Sequence, residues 1–140
     1  MRLGAKAKAR RAAGGPAVKG RPALSVSGYA ALRTMLFVRA NNRCECCSAR
    51  LRLQIEHAVP RSAGGADSWA NCWVTCERCH RMKEAPYSAA TGRLLVAPQG
   101  DGRFKFRIVK GTKSAHQVLE VRWGGRGPTY TETEYLNKLA

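Results

Sequence analysis

CECC at residues 44–47 and CERCH at residues 76–80 are two cysteine pairs that decide how this chain can fold. Two Cys-x2-Cys pairs can close one tetrahedral thiolate site around zinc, and the shared ion then ties two distant parts of the chain together. The gap between them, residues 48–75, is longer than in a minimal zinc ribbon, but the spacing within each pair is typical of zinc ligands. The predicted ligands of this structural Zn²⁺ are Cys44, Cys47, Cys76 and Cys79.

Two further cysteines leave alternatives open. Cys46 lies inside the first pair and could replace Cys47 as a ligand, whereas Cys72 lies near aromatic residues and is predicted to be a buried small hydrophobe. Disulfides are typical of secreted proteins, and the basic start MRLGAKAKARRAAGG lacks the apolar core of a secretory signal. That start has features of an organelle transit peptide, although it has almost no hydroxyl residues. Metal ligation is therefore favoured over disulfides.

The net charge favours a nucleic-acid partner. Lys and Arg number 25 against 9 Asp and Glu, which gives a formal charge of +16, and the first acidic residue is Glu45. A polyphosphate backbone supplies the opposite charge, and the release of its counterions drives association. The excess is also compatible with solubility alone, or with a basic ribosome-like or membrane-surface protein. No apolar run approaches the roughly 18 residues that span a bilayer, so we expect a soluble protein without a membrane segment.

Composition and periodicity divide the chain into three parts. Residues 1–26 mix Lys, Arg, Ala, Gly and Pro without periodicity, which predicts a disordered basic arm. Residues 27–86 contain both cysteine pairs and are predicted to be the core domain, and residues 87–140 are predicted to be a β-rich extension. The predicted fold class is α+β.

Within the core, a helix is predicted from about residue 27 to residue 40, because apolar residues recur at three- and four-residue spacing until two asparagines end the pattern. A strand follows, in which Leu51, Leu53 and Ile55 are predicted to point inward. A Gly-rich loop then leads to a short apolar segment and to a second helix, which Pro86 ends.

The C-terminal third has the pattern of a β-meander. Three short strands are predicted over RLLVAP, RFKFRIVKG and QVLEVRWGG, with turns between them. In the middle strand Lys105 and Arg107 alternate with apolar residues, so that one face of this strand is basic. Such a face is either a DNA contact or the solvated outer face of the meander.

An ordered set of residues lies between the cysteine pairs and at the second pair. Its members are Glu56-His57, Pro60, Gly64-Gly65, Asn71 and Cys79-His80. This pattern resembles the HNH endonucleases of the ββα-metal (His-Me finger) group, in the subgroup braced by two Cys-x2-Cys zinc knuckles. The resemblance covers Cys44 to about Glu84. It implies a small zinc-braced ββα-metal core, with the N-terminal helix before it and the C-terminal β-meander after it.

The resemblance also implies a role for four side chains. His57 would be the general base, and Asn71 would hold the loop and, through it, the ring of His57. Glu56 and His80 would hold one catalytic divalent ion, Mg²⁺, Mn²⁺ or similar, against the scissile phosphate and the leaving 3′ oxygen. An imidazole with its usual pKa of about 6.5 would be neutral and available as a base.

Other residues near this set have less specific expectations. Many members of the family have Asp where this chain has Glu56, which puts the metal preference in doubt more than the role. Glu84 lies one helical turn after His80 and is a possible third ligand, the alternative being a solvated carboxylate. The basic residues expected to contact phosphates are Arg61, Arg81 and Lys83.

Taken together, these features predict a metal-dependent endonuclease that hydrolyses DNA, by nicking or by double-strand cleavage. The alternative is a zinc-knuckle protein that binds nucleic acid without turnover, and RNA is a weaker option for the substrate. The short basic form is similar to phage-encoded HNH proteins, some of which act beside the packaging machinery and others as mobile homing enzymes. For such a protein the expected location is the cytoplasm of the bacterial host.

Overall fold

The computed structural model describes residues 24–139. Within them the chain forms three α-helices, one short 3-10 turn and five strands in two antiparallel sheets. The elements are α1 (Val26–Arg39), β1 (Leu53–His57), the 3-10 turn (Arg61–Ala63), β2 (Cys72–Cys76), α2 (Glu77–Glu84), β3 (Arg93–Pro98), β4 (Arg103–Gly111), β5 (His116–Gly125) and α3 (Tyr130–Leu139). The predicted α+β class is confirmed. Residues 1–23, which make up most of the predicted basic arm, lie outside the described residues.

Helix α1 has the boundaries that its sequence predicts to within one residue. It begins after Ser25, whose hydroxyl accepts a hydrogen bond from a backbone amide of the first turn, as an N-cap does. It ends where Asn41 and Asn42 adopt the left-handed conformation, with φ of 56° and 54°. Leu32 and Leu36 are fully buried against β2, which fixes the helix on the hairpin.

Strands β1 and β2 form the hairpin of the core, with His57 opposite Cys72 and Glu56 opposite Trp73. Every residue of β2 is buried, because the strand lies between two apolar clusters. Cys72 and Val74 belong to the cluster under α1, and Trp73 belongs to the cluster under the C-terminal sheet. Helix α2 follows β2 directly and completes a ββα unit.

One part of the predicted hairpin is wrong. Leu51 was expected to point inward with Leu53 and Ile55, but its side chain is 78% exposed. The strand begins only at Leu53, and Arg52 has a φ of 56°, which interrupts the two-residue alternation just before it. The alternation holds only from Leu53 onward, where Leu53 and Ile55 pack against the core.

The C-terminal strands form the predicted meander, in the order β3-β4-β5. Its inner face packs on the hairpin, where the rings of Trp73 and Phe106 lie 4.9 Å apart between centroids. Gly124 comes so close to the first cysteine pair that a Cβ on it would lie 2.1 Å from the carbonyl oxygen of Glu45. The meander therefore rests directly on the frame formed by the cysteines.

Helix α3 was not predicted. It starts with a capping box, in which the amide of Glu132 donates to the hydroxyl of Thr129 and the amide of Thr129 donates to the carboxylate of Glu132. Its apolar residues Leu136 and Leu139 pack against the cluster under α1. The motif Thr-x-x-Glu at residues 129–132 is the sequence feature that predicts such a start.

Across residues 24–139, none of the helices combines the length and the apolar character that crossing a bilayer requires.

Candidate active site and zinc frame

The four predicted zinc ligands lie together. The sulfur atoms of Cys44, Cys47, Cys76 and Cys79 are all within 4.8 Å of one another. Cys47 Sγ and Cys76 Sγ are 3.5 Å apart. A tetrahedral ion with Zn–S bonds of about 2.3 Å needs sulfurs about 3.8 Å apart, so these four thiols could bind zinc with little adjustment.

Cys46 and Cys72 are not part of this group. Cys46 is buried in the apolar cluster below the C-terminal sheet. Cys72 is fully buried in the cluster under α1, as a small apolar residue would be, with its sulfur 3.8 Å from the carbonyl oxygen of Ala66. The alternative ligand set that exchanges Cys46 for Cys47 therefore has no support in the geometry.

A buried arginine that the sequence analysis missed fixes the first cysteine pair. Arg39, at the end of α1, makes a bidentate ion pair with Glu45, with both N–O distances at 2.8 Å. Its guanidinium also donates to the carbonyl oxygens of Trp69 and Cys72, at 2.7 Å each. Glu45 in turn accepts a hydrogen bond from the amide of Val74. One cation thus connects α1, the first cysteine pair and β2.

The loop between β1 and β2 is held from inside by Asn71. This side chain is completely buried, and its amide group donates to the carbonyl oxygens of Val59 and Ala66 at 3.0 and 2.9 Å. Its carbonyl oxygen accepts from the amide of Val59 at 2.9 Å. A Cβ at Gly65 would lie 1.7 Å from the oxygen of Val59, so only glycine fits there. Asn71 therefore ties Val59 to Ala66 within the loop.

His57 is paired with a carboxylate that the sequence analysis did not single out. Its Nε2 lies 2.8 Å from Asp67 Oδ1, and the side chain of Asp67 is only 2% exposed. Asp67 also accepts hydrogen bonds from Arg61 Nε and from the amide of Leu24. Asp67 is the sole acidic residue between Glu56 and Glu77 in the sequence, which is the feature that could have indicated it.

This pairing changes the protonation of the histidine. Burial of the ring acts to lower the pKa of His57, but hydrogen bonds to Asp67 and Cys72 outweigh it and raise the pKa to about 9. Burial acts to raise the pKa of Asp67, but hydrogen bonds from His57 and Arg61 hold it at about 2. The expectation of an unshifted, neutral His57 is therefore wrong, because its ring forms an ion pair with Asp67 at neutral pH.

On the other side of β1, Glu56 contacts helix α2. Its carboxylate lies 2.9 Å from Nδ1 of His80 and 3.3 Å from the ammonium of Lys83. Atoms of Glu56, His80 and Glu84 come within 4.8 Å of one another, as the ligands of one ion would. Two carboxylates and one imidazole form a donor set that suits a divalent cation such as Mg²⁺ or Mn²⁺. Adjacent residues on a strand point to opposite faces, which is why Glu56 and His57 reach different partners.

The other two basic residues expected to contact phosphates lie at the surface. Arg61 is 55% exposed, pairs with Asp67 and lies over the ring of Tyr29 at 5.4 Å. Arg81 is 65% exposed and pairs with Glu77 at 2.8 Å, one helical turn before it. Both keep exposed surface that a phosphate can reach. Their contact with phosphates stays a prediction.

A family model described as HNH endonuclease matches residues 44–85. None of the curated proteins and none of the solved structures matches the chain. The matched segment contains both cysteine pairs, the β1–β2 hairpin and α2. It therefore contains the four cysteines and the cluster of Glu56, His80 and Glu84. The resemblance inferred from the motifs is confirmed over residues 44–85, where the chain matches the HNH endonuclease family model.

Proposed function

We propose that this protein is a metal-dependent endonuclease that hydrolyses phosphodiester bonds of DNA. The family match supports a nuclease in general. The observation that carries the finer proposal is the division of β1: Glu56 faces His80 and Glu84 on α2, and His57 faces Asp67 in the loop. The proposed base, His57, and the proposed cation site at Glu56 thus lie on opposite faces at the end of β1. Phosphodiester hydrolysis needs both a base and a cation.

Glu56 and His80 would hold the catalytic divalent ion, with Glu84 as the third ligand. A cation bound there supplies positive charge against the scissile phosphate and the departing oxygen. Lys83 forms an ion pair with the same carboxylate, and its ammonium would contact a phosphate of the substrate. The four cysteines would hold a structural Zn²⁺ that is separate from this chemistry.

His57 would take the proton of the attacking water. The oxygen of that water would bond to phosphorus as the P–O3′ bond breaks, and the departing oxygen would take up a proton from bulk water, leaving 5′ phosphate and 3′ hydroxyl ends. Asp67 would act as a positioning residue, because its hydrogen bond at Nε2 fixes the ring and leaves Nδ1 for the water. Asn71 would support this arrangement by holding the loop that carries Asp67.

The second candidate function is a zinc-knuckle protein that binds nucleic acid without turnover. The ion pair of His57 and Asp67 favours it at neutral pH, because an imidazolium accepts no proton. The cluster of Glu56, His80 and Glu84 favours the enzyme, because zinc binding by four cysteines requires none of these residues. RNA as the substrate, phage origin and the packaging machinery as a partner stay predictions from the resemblance.

A supercoiled-plasmid assay with purified protein tests the proposal. Nicking or linearisation should appear with Mg²⁺ or Mn²⁺, stop with chelator, and be lost in His57→Ala. His116→Ala is the matched control and should cleave as the wild type does, since His116, on β5, is the one histidine of the sequence outside residues 44–85. Plasmid retardation without any cut, in every metal and across the pH range to about 9, would favour the zinc-knuckle binder.

A further inference from the structure

The outer face of the C-terminal sheet combines an exposed tryptophan with two cations that form no ion pair within residues 24–139. On β4, Phe104 and Phe106 are buried against the core, and Lys105 and Arg107 alternate with them. Across the strand pair, Lys105 is opposite Trp123. The residues of β4 and β5 on this outer face include Lys105, Arg107, Val121 and Trp123.

Trp123 has no role in the core. Its side chain is 64% exposed, whereas Trp69 and Trp73 are 5% and 0% exposed. Val121, two residues before it on the same face, is 46% exposed. A large aromatic ring that faces solvent loses the burial that normally stabilises such a residue, so its surface is free for a partner.

The cations beside Trp123 lack acidic partners. Within residues 24–139, neither Lys105 nor Arg107 forms an ion pair. The nearest acid on β5, Glu120, is opposite Ile108 on the other face and pairs with Arg122. The Nε of Arg107 is buried without a hydrogen-bond partner in the described part of the chain. The outer face is therefore positively charged.

The indole and the ammonium are already arranged together. Lys105 Nζ lies 5.5 Å from the centroid of the Trp123 ring, within the range of a cation–π contact. This contact holds the ring beside the charge and leaves most of its surface exposed. A stacking ring beside backbone-neutralising cations is the combination with which proteins bind single-stranded nucleic acid.

We propose that this outer face binds an unpaired segment of a DNA strand, with a base stacked on Trp123 and phosphates held by Lys105 and Arg107. DNA as the strand rests on the proposed function. A second copy of the chain is the less favoured occupant, because joining two cationic faces of a +16 protein brings like charges together. The face would act beside the nuclease domain and favour substrates with unpaired bases near the cut.

The test is a titration of the full-length protein with an oligo-dT strand and with a matched duplex, without added divalent ions. Because the other two tryptophans are buried, oligo-dT should quench the emission of Trp123, and Trp123→Phe should remove that quench. Trp123→Ala should weaken single-strand binding about tenfold, the effect of losing one stacked base. Tyr130→Ala, which removes an aromatic residue that is 80% exposed on α3, is the matched control and should change nothing.

The charges are tested in the same titration at several salt concentrations. Lys105→Gln combined with Arg107→Gln should reduce the slope of log affinity against log salt by about 1.4, since each phosphate contact to a single strand contributes about 0.7. Lys138→Gln, on α3, should have less effect than either single substitution. Equal weakening by Lys138→Gln would assign the effect to net charge and overturn the proposal.

Two further outcomes separate this inference from the proposed function. An oligo-dT quench that persists in Trp123→Phe, together with unchanged strand affinity in Trp123→Ala and normal plasmid cleavage, would overturn the outer face alone. Strand binding that depends on Trp123, without plasmid cleavage in any metal, would support the outer face and overturn the endonuclease. A change of oligomeric state in the variants, without a change of strand affinity, would overturn the inference in favour of a second copy.

Discussion

The hairpin loop and the outer face of the C-terminal sheet handle polar groups in opposite ways. In the loop, Asn71 and Asp67 are buried and fully engaged with the chain itself. On the outer face, Lys105 and Arg107 have no acidic partner within residues 24–139, and Trp123 faces solvent. The comparison teaches that the polar groups of the loop are already satisfied within the fold, whereas the outer face leaves an aromatic ring and two cations accessible to a partner.

The largest effect is expected from breaking the frame that supports both regions. Cys44→Ser should abolish zinc binding and with it the cooperative fold, because structural zinc contributes about 10–16 kcal/mol and a small domain has about 5–15 kcal/mol in all. Zinc content and the far-UV circular dichroism spectrum measure this. Cys46→Ala is the control and should keep its zinc, since Cys46 lies outside the thiol cluster. A folded, zinc-loaded Cys44→Ser protein would contradict the frame.

The second-largest effect is expected at Arg39, the buried cation that joins α1 to the cysteine frame. Arg39→Met should lower the free energy of unfolding by about 3–5 kcal/mol, because it leaves Glu45 buried without its partner. Urea denaturation measures the loss. Arg33→Met, an exposed position on the same helix, should cost no more than about 0.5 kcal/mol. Equal stability of the two variants would show that Arg39 does not tie these elements together.

Asp67→Asn tests the hairpin loop, because it removes the negative charge beside His57 and keeps the shape of the side chain. The maximal cleavage rate should fall about 100-fold or more as the ring of His57 loses its fixed orientation. Binding of Mn²⁺ at the Glu56 cluster should stay unchanged. The midpoint of the pH–rate profile should also move to lower pH, because the main interaction that raises the pKa of His57 is gone. A lower rate with an unmoved midpoint would mean a merely structural role.

The pH dependence of the wild type follows from the same pair. Cleavage needs unprotonated His57, so the rate should rise with pH through about 9. The stability of the fold should change with pH in the opposite direction. Because the pKa of His57 is raised, its pair with Asp67 stabilises the fold fully below about pH 6.5, and this contribution disappears as the pH rises through about 9. Rates and thermal unfolding measured between pH 6 and pH 10, a range of about four units, check both directions. A rate that is flat over this range would contradict the role of His57.

The smallest effect is expected at the rim of the metal cluster. Glu84→Gln should raise the metal concentration for half-maximal cleavage several-fold, because an exposed third ligand contributes less than Glu56 and His80. Glu134→Gln, an exposed carboxylate on α3, is the matched control. An unchanged metal requirement in Glu84→Gln would return Glu84 to the role of a solvated helix-end carboxylate.

The features that could be predicted from the sequence are those that depend on the spacing of residues along the chain. The thiol cluster, the ββα order and the meander follow from periods of two and of three to four residues and from cysteine spacing. Arg39 and Asp67 could not be found in this way, because each acts through contacts between segments that are distant in sequence. The exposure of Leu51 depended on one backbone angle at Arg52, which no residue type specifies.

Binding of Mn²⁺ and cleavage, measured together on Glu56→Gln and His57→Ala, test the central claim most directly. The claim is that Glu56 binds the metal ion, whereas its neighbour on β1, His57, acts as the base. We predict that His57→Ala binds Mn²⁺ as the wild type does and cleaves nothing, whereas Glu56→Gln loses both Mn²⁺ binding and cleavage. Normal Mn²⁺ binding by Glu56→Gln, or undiminished cleavage by His57→Ala, would contradict the claim.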